Sequence, residues 1–260
     1  MNLKTILIET KHQVSTLTLN RPELHNAFNE ELISEIHQAM EHFAKDSNTR
    51  AIIITGAGQS FCAGGDLNWM KRSASYTHEK NIEEAQALHQ MLCSITLNPK
   101  PVIAKVNGLA MGGGVGLAAA ADMAFAYKTA QFSFSEVRLG LIPAVISPFA
   151  IRKLGAARFR ELALTAERFS ATQAKEFGLI EHAGSPEEIE DWIDVKVNAL
   201  KAAGPEALAE TKKLIEELDS ISLKNIGKIT SKKLADRRSS AEGQEGIAAF
   251  FEKRKANWVG

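Results

Sequence analysis

Twice in the first half of the chain a short apolar run enters a glycine-rich loop and leaves it as a helical pattern. Ala51-Ile52-Ile53-Ile54-Thr55 leads into the loop at 56–65, and Val102-Ile103-Ala104-Lys105-Val106 into the loop at 108–116. Unbroken apolar runs of this length read as strands covered on both faces. Helical patterns follow at 67–71 and 78–97 after the first loop, and at the alanine-rich 117–121 after the second. A repeated strand, loop and helix needs a largely parallel sheet with helices packed against it, so the fold class is α/β.

The flanking segments fit around that repeat. Residues 3–9 and 14–19 read as a hairpin, and Asn20-Arg21-Pro22 ends it. From Glu30 onward, Leu32, Ile33, Ile36, Ala39, Met40 and Phe43 fall at helical spacing with one buried face. Beyond about residue 145 the strand patterns stop. Helices are expected over 146–154, 156–164, 171–177, 186–203, 205–218 and 246–256, those at 186 and 205 starting on a proline. The expected division is an α/β core over 1–200 and a helical region over 201–260.

Charge sharpens this division. The 31 Lys and Arg balance 31 Asp and Glu, which leaves no basic excess for a nucleic-acid backbone. Residues 101–150 carry five charges, Lys105, Asp122, Lys128, Glu136 and Arg138, whereas 201–260 carry twenty-one. The middle therefore reads as buried and the end as a solvated helical face. A carboxylate in so charge-poor a stretch is a candidate for chemistry. At 45% apolar and 24% charged residues the chain is too apolar to be disordered.

No apolar run reaches the roughly 18–20 residues that span a bilayer. The first nine residues stop at a charge after too short an apolar stretch for a secretion signal. A cytoplasmic protein with no membrane partner is expected. Two cysteines cannot build a disulfide framework, and Cys62 and Cys93 read as small core residues.

Several motif classes are absent. Gly56-Ala57-Gly58-Gln59-Ser60-Phe61 begins like a dinucleotide fingerprint but lacks its third glycine. The sequence holds no phosphate-binding G-x-x-x-x-G-K-[ST] and no G-x-S-x-G elbow. The seven histidines form no H-E-x-x-H, and the cysteines lie 31 residues apart, so no metal site is expected.

The glycine loops suit anion binding. Gly64-Gly65 precede Asp66 and the helix at 67–71, and Gly112-Gly113-Gly114 precede the alanine-rich helix. The first N–H groups of a helix point outward at its positive end. Two such sites facing each other can hold one carbonyl oxygen as an enolate, at about 3–4 kcal/mol per donor. The competing reading is two tight turns whose glycines serve geometry alone. Asp66 reads as a helix N-cap.

Glu136 is the leading acid–base candidate. If a strand runs through Phe132-Ser133-Phe134-Ser135-Glu136, alternation puts Phe132, Phe134 and Glu136 on one face. A carboxylate there is partly desolvated, which raises its pKa toward the range useful for proton transfer. A continued strand would also bring Arg138 to that side, where an ion pair with Glu136 would lower the same pKa.

The ordered set of motifs resembles the enoyl-CoA hydratase/isomerase, or crotonase, family over nearly the whole chain. It comprises Leu19-Asn20-Arg21-Pro22 with Asn26-Ala27-Phe28, then Ser60-Phe61-Cys62-Ala63-Gly64-Gly65-Asp66, then Asn107-Gly108-Leu109-Ala110-Met111-Gly112-Gly113-Gly114. Phe134-Ser135-Glu136 with Gly140-Leu141-Ile142-Pro143, the run 171–180 and Phe251-Glu252-Lys253-Arg254-Lys255 complete it. The resemblance implies a crotonase-like spiral of ββα units with a C-terminal helical trimerisation region. Pairs of trimers are common in the family. It implies an acyl-CoA thioester as substrate, with coenzyme A part of that substrate and no separate cofactor.

By the same resemblance the two oxyanion donors fall on the N–H groups of Gly65 and Gly113, and the catalytic carboxylate on Glu136. Ala27, Ala63, Gly64, Gly65, Asp66, Leu67, Gly112 and Gly113 would flank the ligand. Lys253 would approach the CoA phosphates. One position departs from the family pattern. Typical hydratases carry a first glutamate two residues beyond the triple glycine, and here that residue is Gly116.

The runs 135–148 and 162–169 look most like bacterial methylglutaconyl-CoA hydratases, some of which lack that glutamate and serve leucine breakdown. Hydration of a short or branched 2-enoyl-CoA is thus expected, with 3-methylglutaconyl-CoA the specific candidate and Arg138 a possible anchor for its distal carboxylate. The alternatives are a single-glutamate enoyl-CoA isomerase, and a non-catalytic acyl-CoA- or RNA-binding relative using Lys232, Lys233, Arg237 and Arg238. Six acids lie between 206 and 236, Glu206, Glu210, Glu216, Glu217, Asp219 and Asp236, and weaken such a basic patch. Nucleic acid is therefore not expected as a partner.

Overall fold

The computed structural model describes residues 3–218 and 226–259, so Met1, Asn2 and Asp219 lie outside the described residues. Strands β1 (Ile6–Lys11) and β2 (Val14–Leu19) pair antiparallel, Ile6 opposite Leu19. His12 and Gln13 turn the hairpin with φ of 49° and 67°, the backbone that a two-residue connection requires. Helix α1 (Glu30–Lys45) starts where the Asn29 side chain accepts from the Leu32 N–H. Its apolar stripe, Leu32, Ile33, Ile36, Ala39, Met40 and Phe43, is buried as the spacing predicts.

Each following unit splits its two strands between two sheets. In the first, β3 (Ala51–Gly56) and β4 (Ser60–Cys62) lead to α2 (Leu67–Ser73) and α3 (His78–Thr96). In the second, β5 (Val102–Val106) and β6 (Leu109–Met111) lead to α4 (Gly113–Ala120). In the third, β7 (Met123–Tyr127) and β8 (Gln131–Ser133) lead through one 3-10 turn at Glu136–Leu139 to α5 (Ser147–Thr165). The expected spiral of ββα units is present. Both glycine-rich stretches contain a three-residue strand, β4 and β6, where loops were expected. Such strands are too short to show a period-two pattern.

The region after residue 145 also differs from expectation. Two short strands occur there, β9 (Phe169–Ser170) and, after α6 (Ala171–Glu176), β10 (His182–Gly184). The six-stranded sheet runs β1-β2-β3-β5-β7-β10 and the four-stranded sheet β4-β6-β8-β9. All pairings are parallel except β1 with β2 and β8 with β9. Helix α5 breaks at Gly155, between the two helices expected there.

Helix α7 (Pro186–Ala202) begins with a reciprocal cap between Ser185 and Glu188 and covers Ile103 and Phe125 with Ile189, Ile193 and Val197. Three helices follow, α8 (Pro205–Leu218), α9 (Gly227–Ser239) and α10 (Ala241–Phe251). The sequence gives no sign of α9, because its residues form no apolar face and none of them is buried. Arg50, 9% exposed, ties this region to the core through the carbonyls of Ala203 (2.6 Å) and Trp258 (3.2 Å). Lys212 on α8 pairs with Asp122 at 2.6 Å. No helix among the described residues is long and apolar enough to cross a membrane.

One buried carboxylate holds the start of the chain on α1. Glu35 accepts from the N–H groups of Lys4 and Thr5, both at 2.8 Å, and from the Thr5 hydroxyl at 2.5 Å. Burial alone pushes its pKa up, but these hydrogen bonds outweigh burial and hold it below the ordinary glutamate value. A depressed folded-state pKa contributes stability above the unfolded value, and that stability is lost as pH falls through the folded value. Glu35→Gln should therefore cost about 1–3 kcal/mol at neutral pH. In urea melts the gap between parent and variant should close as the pH drops below the ordinary glutamate range.

Candidate active site

The two glycine loops meet where β4 ends and α4 begins. Phe28 and Gly65 form an isolated parallel bridge. The Phe28 N–H donates to Gly64 O at 2.7 Å and the Asp66 N–H to Phe28 O at 2.8 Å. This ladder uses the residues on either side and leaves the Gly65 N–H outside it. Gly113 is the first residue of α4, so its N–H has no acceptor within the helix. The loops touch, since a Cβ on Gly64 would lie 3.7 Å from Gly113 N and 2.9 Å from Met111 O. Gly64 also sits at φ 89°, where a side chain is strained.

The wall is equally tight. A Cβ on Gly113 would lie 2.8 Å from the Phe28 ring, and one on Gly65 3.3 Å from Met70 Sδ. The glycines thus serve close packing, and that same packing leaves two N–H groups uncommitted. Residues 114–120 of α4 are all buried, so the positive end of this helix lies inside the molecule.

Glu136 joins this group by a different route from the one expected. Strand β8 stops at Ser133, Ser135 has helical backbone angles, and Glu136 opens the 3-10 turn. Strand alternation therefore does not place it. It is nonetheless half-buried, and its Oε2 is buried with no hydrogen-bond partner. Its Oε1 lies over the loop, where a Cβ on Gly112 would come within 2.8 Å. Gly112 has φ 47°, so any side chain there would be both strained and in collision with the carboxylate. Burial pushes the Glu136 pKa up. The ion pair with Arg138 does not form. Arg138 is exposed, because the 3-10 turn rotates it away from the side a strand would have given it.

Gly116 lies one helical turn beyond Gly112, on the same face of α4. A Cβ at 116 would fall onto Ile146 Cγ2 and within 2.8 Å of Ile146 Cβ. Ile146 is 2% exposed. The space a glutamate would need here is filled by that side chain.

The other expected residues divide into two groups. Ala27 is buried, Ala63 is half-buried with its N–H donating to His25 O, and Leu67 is 81% exposed at the start of α2. Asp66 caps α2 as expected, its Oδ1 accepting from the N–H groups of Asn68 (2.8 Å) and Trp69 (3.2 Å). Its Oδ2 accepts from Arg21 at 2.8 Å. Both oxygens are thus used internally. Lys253 is exposed beyond α10 and makes no hydrogen bond or ion pair to the other candidates among the described residues. Cys62 is fully buried beneath the loop, and burial pushes its thiol up to about 12. Met70 and Arg21 are not among the site residues expected from the sequence, whereas Phe28, next to Ala27, and Ile146, within 144–148, belong to segments expected to line the pocket. Arg21 reaches Asp66 45 residues along the chain, so no local spacing announces that contact.

Two N–H groups beside a desolvated carboxylate can polarise a carbonyl and move a proton next to it. The enoyl-CoA hydratase/isomerase family profile matches residues 9–260. The 1,2-epoxyphenylacetyl-CoA isomerase of Escherichia coli is 32% identical, over 99% of each chain. The short-chain-enoyl-CoA hydratase of Clostridium acetobutylicum is 30% identical, over 98% of this chain and 97% of its own. The crystal structure of an enoyl-CoA hydratase from Shewanella pealeana superposes with a TM-score of 0.95 at 38% identity, over 99% of this chain and 97% of that one. With the glycine loops, the spiral of ββα units and these relatives in agreement, the chain belongs to the enoyl-CoA hydratase/isomerase family.

Proposed function

We propose that this chain hydrates a short or branched 2-enoyl-CoA, with Glu136 as its acid–base group. The observation that carries this reading is the Glu136 carboxylate, half-buried, with an unpartnered Oε2 and a raised pKa, beside the start of α4. The N–H groups of Gly65 and Gly113 donate to the thioester oxygen, where negative charge develops as water attacks C3. Glu136 takes a proton from that water as the C3–O bond forms. The resulting enolate is protonated at C2 by the same carboxyl group, so one water is added and Glu136 ends as it began.

Ala27, Ala63, Gly64, Leu67 and Gly112 flank the CoA thioester. Asp66 acts through its backbone, and Lys253 meets the CoA phosphates. 3-Methylglutaconyl-CoA is the specific candidate substrate. Ile146 leaves the site one carboxylate short, and this substrate brings its own. The exposed Arg138, two residues from Glu136, is the group that would hold it.

A second reading, double-bond isomerisation, is favoured by the filled space at Gly116, because one carboxylate suffices to carry a proton between two carbons. Turnover of 2-enoyl- and 3-enoyl-CoAs in oxygen-18 water separates the two. Labelled 3-hydroxyacyl-CoA is expected, and double-bond migration without label would replace hydration by isomerisation. The RNA-binding reading is weakened by internal pairing. Lys232 pairs with Asp236 (2.5 Å), Lys233 with Glu217 (2.8 Å) and Arg237 with Glu206 (2.9 Å).

Self-association to a trimer or a dimer of trimers belongs to the same proposal. Its support is the apolar surface of α10, where Phe250 and Phe251 are 78% and 76% exposed.

A further inference from the structure

The Gly65 N–H can serve as a donor only if the backbone carrying it is held in one direction. That backbone is a two-residue contact between the segment after β2 and the loop after β4, made by Phe28 and Gly65. Two backbone hydrogen bonds close this contact, and a third, from the Ala63 N–H to His25 O at 3.0 Å, lies beside it. One side chain braces both edges of the contact. Arg21 donates from Nη1 to Ala27 O at 2.6 Å, and from Nη2 to Asp66 Oδ2 at 2.8 Å. Ala27 and Asp66 are the residues next to Phe28 and Gly65, one on each strand of the bridge.

The brace is itself held. The Arg21 N–H donates to Asn26 Oδ1 at 2.9 Å, and Asn26 Nδ2 donates to Ala57 O and Ser60 O at 2.9 and 2.8 Å. The Asp66 carboxylate also fixes the first turn of α2, which carries Met70 against Gly65. The Arg21 and Asp66 side chains are 13% and 6% exposed, so solvent competes little for this pair. The planar guanidinium supplies two donors in a fixed relation, which an ammonium cannot.

We propose that Arg21 is a positioning residue. By joining Ala27 O to the Asp66 carboxylate it sets the direction of the Gly65 N–H toward the thioester oxygen, without touching substrate. The proposal rests on the reading of Gly65 as a carbonyl-polarising donor. A mispointed donor weakens polarisation of the carbonyl while leaving the contacts of the CoA portion in place. Displacements of about 1 Å can cost on the order of a hundred-fold in rate.

The test uses Arg21→Lys, Arg21→Met and Asp66→Asn in the full chain. Three quantities are read: turnover, affinity for free CoA, and the red shift in absorption of a conjugated enoyl-CoA chromophore on binding, which reports carbonyl polarisation. In folded variants turnover should fall about ten- to a hundred-fold. The absorption shift should shrink in step, and affinity for CoA should stay within about two-fold. Arg21→Lys should retain more of the shift than Arg21→Met, since it can still reach Asp66. If Arg21→Met fails to fold, Arg21→Lys and Asp66→Asn decide the question. A full red shift in either would overturn the proposal, and so would a loss of CoA affinity parallel to the loss of shift. If the parent protein itself shows no red shift, the reading of Gly65 fails rather than that of Arg21.

Discussion

Glu136→Gln should lower turnover by about two to four orders of magnitude, the usual contribution of a positioned acid–base group, while affinity for the CoA thioester stays within a few-fold. The amide matches the carboxylate in shape, so packing against Gly112 is kept and only the proton-transfer capacity is lost. The same substitution should leave the melting temperature at neutral pH no lower than the parent's. Burial raises the folded-state pKa of Glu136. A raised pKa means that the protonated group favours folding, and that this contribution is lost as pH rises through the folded value. At neutral pH the ionised side chain is thus a local cost that the amide removes. In the parent, the acid limb of kcat/KM should lie above the ordinary glutamate range, because Glu136 must be ionised to accept a proton. Turnover unchanged in the variant would remove Glu136 from the chemistry.

The second large effect is expected at Gly116. Gly116→Glu places a side chain where Ile146 already sits. Overpacking costs about 1–3 kcal/mol, and a buried carboxylate without partners adds to that. The single variant should therefore melt well below the parent. Adding Ile146→Ala opens the space, so the double variant should recover stability beyond the sum of the two single changes. Contacting residues typically couple by about 0.5–3 kcal/mol. The double variant should also gain hydration of unbranched 2-enoyl-CoAs that carry no carboxylate of their own, since a second carboxylate then stands one turn of α4 beyond Gly112, over which Glu136 lies. Thermal melts of all four proteins, with assays on branched and unbranched substrates, check both parts. A double variant no more stable than Gly116→Glu would mean that Ile146 is not what excludes a side chain.

The contrast between Glu136 and Ile146 shows what a single sequence can disclose. Long apolar patterns such as α1, β3 and β5 are legible because period and burial agree over many residues. The three-residue strands β4 and β6 are not, since their pairing partners rather than their own pattern define them. Glu136 stands out as an acid in a charge-poor window, and it is indeed half-buried, yet a 3-10 turn and not strand alternation puts it there. The absence of a glutamate at Gly116 is visible in the sequence, but its occupant is not, because steric complementarity between α4 and the residue preceding α5 has no local signature. Arg21 and Asp66 stand 45 residues apart. Only the folded chain reveals that the guanidinium spans the Phe28–Gly65 contact.

Cys62 ends β4, two residues before Gly64 and the loop proposed to hold an activated thioester, and its thiol is pushed up to about 12. Near neutral pH burial therefore holds it as the thiol, and the thiolate is the form that attacks acyl groups. An ordinary exposed cysteine at the same distance could capture the acyl chain and release CoA. By burying this sulfur completely, the fold withholds an acyl acceptor of its own from the loop proposed to polarise a thioester.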